Sequence, residues 1–134
     1  MVAIRVEYQG DLHCNATHGP SRSELSTDAP VDNMGKGETF SPTDLVATAL
    51  ASCILTTMAI KAQSMGIDLA GSTVDVEKEM TNNPRRIGRL TTNVAIPLQL
   101  GERERKVLEA TAHACPVHRS ISSDVEMPLT FQWG

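Results

Sequence analysis

Apolar and polar residues alternate at the start of the chain. Val2, Ile4, Val6 and Tyr8 fall on one side of an extended segment, and Ala3, Arg5 and Glu7 on the other. That period of two predicts a strand. Gln9-Gly10-Asp11 reads as a turn, after which Leu12, Cys14 and Ala16 resume the alternation in a second strand. His18-Gly19-Pro20-Ser21 breaks it, and a short third strand is expected from Arg22 to Thr27. Asp28 to Thr39, with Pro30, Asn33, Gly35 and Gly37, reads as a loop.

A helix start follows. Ser41 suits the N-cap, Pro42 the first helical position, and Asp44 the place three residues on in a capping-box-like arrangement. The helix is expected to run to Met65 and stop at Gly66, about 24 residues or roughly 36 Å. Its small residues (Ala47, Ala49, Ala51, Ser52, Ala59, Ala62) let neighbours approach closely, so it reads as a central helix. Two strands are then predicted over Ser72–Met80 and Arg89–Leu98, with Val74, Val76, Met80, Leu90, Val94 and Ile96 facing inward. A second helix over Glu102–Ala114 carries the stripe Val107, Leu108, Thr111 and Ala112. Cys115-Pro116 interrupts it, a short helix runs from Pro116 to Ser122, and Leu129, Phe131 and Trp133 alternate in a final strand.

The order β, β, β, α, β, β, α, α, β predicts one α+β domain over residues 1–134, with antiparallel sheets packed around the long helix. Three short strands bury little alone, and one small sheet cannot cover so long an apolar helix. An obligate dimer, two chains wrapped around each other's central helices, resolves both.

Composition narrows the function. With Tyr8, Phe40, Phe131 and Trp133 as the whole aromatic set, a base-stacking surface is hard to build. The net charge of −4, without a basic run, argues against nucleic acid or an anionic membrane surface as partner. Thr48, Ser52, Thr56, Thr57, Lys61, Gln63 and Ser64 interrupt the Leu45–Met65 segment, which argues against a membrane span. The N-terminus shows no signal-peptide pattern, so a cytoplasmic location is expected.

Three cysteines in such a chain do not suggest a structural disulfide framework. Cys14 alternates with Leu12 and Ala16 and reads as a small buried hydrophobe. Cys53, in the middle of the central helix, is either core filler or a thiol awaiting a polar partner, since no local residue supplies a cation. Cys115 stands at the N-cap of the helix opened by Pro116, where backbone N–H groups and the helix dipole are expected to lower its pKa, with His118 and Arg119 within one turn. His113, Cys115 and His118 cluster, but their spacing matches no standard zinc pattern. No cofactor is implied.

Two segments carry a resemblance. Ser41-Pro42-Thr43-Asp44-Leu45 opens a helix that continues through Ala49-Leu50-Ala51-Ser52-Cys53, and Cys115-Pro116-Val117-His118-Arg119-Ser120 follows some distance later. Together with the element order, they make the chain similar to the OsmC/Ohr family, and within it to the general OsmC-like branch. The resemblance implies an intertwined homodimer with two sites at the subunit interface and a two-cysteine peroxidase reaction. It implies that Cys53 is the peroxidatic thiol, that Cys115 resolves its sulfenic acid as a Cys53–Cys115 disulfide, and that a thiol reductant (a dihydrolipoyl protein, thioredoxin or glutathione) restores both.

In the family's peroxidases a glutamate ten residues before the cysteine pairs with an arginine that favours the thiolate. Here Thr43 holds that position, Asp44 follows it and reads as serving its own helix terminus, and Arg22 is the nearest arginine candidate. The alternative is therefore a non-peroxidase that binds a small ligand, or senses oxidants, at the dimer interface.

Overall fold

The computed structural model describes the whole chain, Met1–Gly134. The first turn passes through three consecutive residues with positive φ (Gly10 87°, Asp11 53°, Leu12 60°). It is closed by Gln9 N–H to His13 O and His13 N–H to Gly10 O, at 2.9 and 3.0 Å. That turn folds β1 (Ile4–Tyr8) back onto β2 (His13–His18), and β3 (Glu24–Asp28) adds to the other edge, all antiparallel. The chain groups into two compact units, Met1–Val46 and Ala47–Gly134, and this sheet is the body of the first.

The register pairs Val6 with Ala16 and Tyr8 with Cys14, and aligns Leu25 with Ala16, so these residues share one face. Ile4, Val6 and Tyr8 on that face stay more than 60% exposed. Cys14 is only half-buried there. On the opposite face His13 faces Asp28 across the ladder, and His13 Nδ1 donates to Asp28 Oδ1 at 2.6 Å. Asp28 Oδ2 accepts the Glu38 N–H (3.1 Å), and the Asp28 N–H donates to Phe40 O (3.1 Å). The following loop, with a 3₁₀ turn at Val31–Asn33, is thus pinned to the end of β3.

α1 (Pro42–Ser64) begins where cap chemistry predicts it. Ser41 Oγ accepts the Asp44 N–H (3.1 Å) and Asp44 Oδ2 accepts the Ser41 N–H (2.9 Å), a reciprocal capping box. The helix ends just ahead of Gly66, whose φ of 73° only glycine adopts without strain. By length and composition α1 is apolar enough to cross a membrane, despite the polar interruptions that argue against it. Within the second unit it buries Ala47, Leu50, Ile54, Met58 and Ala62, a stripe at three- and four-residue spacing. Leu50, Ile54 and Met58 are essentially inaccessible, and each such burial is worth about 1.5–3 kcal/mol.

Against that stripe lie Leu90, Val94 and Ile96 of β5 (Arg86–Ile96) and Leu108 and Ala112 of α2 (Glu102–Ala112). β4 (Thr73–Thr81) pairs antiparallel with β5, with a bulge at Glu79/Met80. β6 (Leu129–Trp133) pairs with β5 in parallel, so the second sheet is mixed and not antiparallel as the sequence pattern suggested. The reason is the connection: α2 and α3 (Pro116–Ser120) intervene between β5 and β6 and return the chain to run the same way. Alternation along Leu129, Phe131 and Trp133 encodes a face but no direction.

Candidate active site: a thiol pair on α1 and α3

Pro116 cannot donate a backbone hydrogen bond, which suits it to the first position of α3 and leaves Cys115 as the N-cap in extended conformation (φ −61°, ψ 134°). Cys115 Sγ accepts the His118 N–H at 3.3 Å, satisfying one of the free donors of the first turn. Cys115 is fully buried, whereas Cys53 on α1 is half-buried.

The fold brings these two cysteines together. The Cys53 and Cys115 thiols lie close enough to act on one another's protonation, and the Val117 N–H acts on both. On the helix side Thr57 Oγ1 lies 3.7 Å from Cys53 Sγ. Burial pushes the Cys53 thiol up, but hydrogen bonds from Cys115, Val117 and Thr57 outweigh it, and its pKa falls below the ordinary value. Cys115 moves the other way. Burial and its hydrogen bond to Cys53 raise it, and the His118 N–H offsets only part. The expectation that the N-cap lowers the Cys115 pKa is therefore corrected: desolvation and the neighbouring sulfur exceed the effect of a one-turn helix. The two thiols are thus shifted in opposite directions, Cys53 down and Cys115 up.

Chemically, such a pair offers a nucleophilic sulfur with a second thiol at hand to condense with its oxidised form. All three cysteines are free thiols in this structure. His113 stands 6.4 Å from His118 and 6.5 Å from Phe131 between ring centres, and no group of three or more His, Cys, Asp or Glu side chains is placed to hold a metal ion.

Thr43, Asp44 and Arg22 belong to the first unit. Thr43 Oγ1 sits 3.2 Å from Ser41 Oγ, and Asp44 closes the capping box. Arg22 is an exposed turn residue with φ of 66° whose N–H donates to His18 O. The donors that sequence reasoning missed are Thr57 and the Val117 N–H. Thr57 stands four residues after Cys53, a spacing that puts two side chains on one helix face and is visible in the sequence. A backbone N–H carries no sequence signal.

The family model for OsmC-like proteins matches residues 35–130. Among solved structures, the chain is similar to a candidate osmotic stress induced and detoxification response protein from Psychrobacter arcticus 273-4, at 46% identity and a TM-score of 0.94, covering 98% of this chain and 96% of that one. An organic hydroperoxide resistance protein OsmC from Legionella pneumophila shares the fold at 19% identity and a TM-score of 0.79 (98% and 96% covered). So does an organic hydroperoxide resistance protein from Elizabethkingia anophelis at 16% identity and a TM-score of 0.78 (100% and 96% covered). No curated protein matches the chain. With its family model spanning most of the sequence and its fold shared end to end, the chain belongs to the OsmC-like protein family.

Proposed function

We propose that this protein is a thiol-dependent peroxidase that reduces organic hydroperoxides or hydrogen peroxide. The observation that carries the reading is the juxtaposition of two free thiols, Cys53 on α1 and Cys115 at the N-cap of α3, each acting on the other. The Cys53 thiolate attacks one peroxide oxygen, the O–O bond breaks, and the departing alkoxide takes a proton to leave as alcohol, giving Cys53 sulfenic acid. The Cys115 sulfur displaces the sulfenic hydroxyl, releasing water and forming the Cys53–Cys115 disulfide. Two thiol groups, from one dithiol or two monothiols, return both cysteines to thiols and leave joined as a disulfide. Dihydrolipoyl protein, thioredoxin and glutathione are the candidate reductants, and the proposed setting is the cytoplasm, where such thiols keep cysteines reduced. Fold relatives named as organic hydroperoxide resistance proteins support the reading.

The proposed working form is a homodimer with the sites at its interface. The exposed apolar face of Ile4, Val6 and Tyr8, together with Val46 and Ile60 on α1, supports it. Sedimentation is expected to give twice the chain mass, and Val6→Asp to shift it toward the monomer. A wild-type monomer at working concentration overturns the dimer.

Steady consumption of cumene hydroperoxide with a dithiol, abolished in Cys53→Ser, is the expected result. Absence of turnover across several peroxides and reductants favours a second reading, a stoichiometric oxidant sensor or small-ligand binder. Its motivation is specific: Asp44 Oδ2 is bound to the Ser41 N–H at its own helix terminus, and Thr43 stands where the family's peroxidases carry glutamate.

A further inference from the structure

A thiolate needs either a nearby cation or hydrogen-bond donors aimed at the sulfur. The three groups that lower the Cys53 thiol are neutral donors: the Cys115 thiol, the Val117 N–H and the Thr57 hydroxyl. They are not equivalent. Cys115 and Val117 act from the start of α3, a separate element of the fold. Thr57 lies on Cys53's own helix, one turn on.

Helical side chains lean toward the N-terminus, so the residue at i+4 projects back over the residue at i. Branching at Cβ leaves threonine few rotamers in a helix, and its hydroxyl is held close to the preceding turn. Oγ1 at 3.7 Å from Cys53 Sγ, with both residues half-buried, is the product of that geometry.

We propose that Thr57 is the standing hydrogen-bond donor to the Cys53 thiolate and sets its reactivity, doing with a neutral hydroxyl fixed in the helix what a cation does in other thiol sites. The inference rests on the peroxidase reading for its biological use, but the hydrogen bond acts on any electrophile that meets Cys53. The other titratable or charged groups on the elements at this sulfur are Cys115, Asp44 and Lys61 at the two ends of α1, and His118 and Arg119 on α3. The readout therefore follows the Cys53 peptide alone.

The test is the pH dependence of Cys53 alkylation by iodoacetamide in the full chain, read by mass spectrometry for wild type, Thr57→Val and Thr57→Ser. Thr57→Val keeps the shape and removes the hydroxyl. It is expected to move the midpoint to higher pH and slow alkylation at neutral pH by roughly threefold to tenfold, the loss of one long hydrogen bond of ordinary strength to the sulfur. Thr57→Ser is expected to restore most of the wild-type profile. Thr57→Val titrating with the wild type, or Thr57→Ser titrating with Thr57→Val, overturns the proposal. Circular dichroism checks the fold, and Thr57→Ala takes the valine variant's place should that variant unfold. Peroxide turnover measured in parallel separates the two ideas. A wild type without turnover whose Cys53 midpoint still rises in Thr57→Val sinks the peroxidase reading and sustains the Thr57 hydrogen bond.

Discussion

Cys115 Sγ accepts the His118 N–H at 3.3 Å while acting on the Cys53 thiol beside it, so one sulfur caps a helix and influences its neighbour at once. The two roles separate by mutation. Cys115→Ser keeps a short polar cap and a hydroxyl donor but cannot form the disulfide. One equivalent of hydroperoxide is expected to leave Cys53 as a sulfenic acid, trapped by dimedone, where the wild type gives the Cys53–Cys115 link. Cys115→Ala loses the cap and opens a small void at a fully buried position, and is expected to cost about 1–2 kcal/mol in denaturant unfolding. Equal stability of the serine and alanine variants would contradict the capping role.

The opposed shifts of the two thiols set an order of labelling. A lowered pKa gives more thiolate at any given pH, and a raised one gives less, so Cys53 carries the larger thiolate fraction of the two. Burial of Cys115 acts in the same direction by limiting access. Timed alkylation at neutral pH is expected to modify Cys53 before Cys115, with a midpoint for Cys53 below the ordinary thiol value of 9.0. Faster labelling of Cys115 would reverse the assignment of nucleophile and partner.

What was legible in the sequence was whatever is decided locally. Ser41, Pro42 and Asp44 announce the start of α1 because cap chemistry involves only neighbours, and Pro116 announces the N-cap at Cys115 for the same reason. The Leu129–Trp133 strand was legible as a strand, but its parallel run beside β5 depends on how α2 and α3 return the chain. The thiol chemistry was less legible, because tertiary contact overrides local setting. Cys115 looked activated by its helix, yet complete burial raises it. The sequence leaves Cys53 between core filler and reactive thiol because no local residue supplies a cation, and donors from α3 and its own helix lower it. The His13–Asp28 contact went unseen because its partners are 15 residues apart and meet only after a turn that puts Leu12 at positive φ.

Asp44 tests whether the helix start acts on the thiols. Its carboxylate accepts the Ser41 N–H and sits in the first turn, where negative charge is favoured. Asp44→Ala is expected to lower stability by about 0.5–2 kcal/mol, the usual worth of a cap. The Cys53 alkylation profile is expected to stay where it was, since the groups that lower that thiol are Cys115, Val117 and Thr57. A clear shift of the Cys53 midpoint in Asp44→Ala would mean that this carboxylate organises the thiol site and does more than cap its helix.

Asp28 governs the acid side of stability. It is nearly inaccessible, takes His13 Nδ1 on one oxygen and the Glu38 N–H on the other, and anchors the loop that leads to α1. The His13 hydrogen bond and charge, the Glu38 N–H and Lys36 hold its carboxyl below the ordinary value of 3.8, against the opposing effect of burial. A carboxyl whose folded pKa is depressed binds fewer protons folded than unfolded, so its stabilisation is full above the unfolded value and disappears as pH falls through the folded one. The contribution is thus present at pH 5 and above and is lost progressively below about 4. Asp28→Asn keeps the shape and removes the charge. It is expected to lower the melting temperature at neutral pH and to flatten the fall in melting temperature between about pH 5 and 2. Thermal melts of both proteins across that range are the measurement. Parallel curves with the same acid slope would show that the His13–Asp28 contact carries no proton linkage and holds the loop by shape alone.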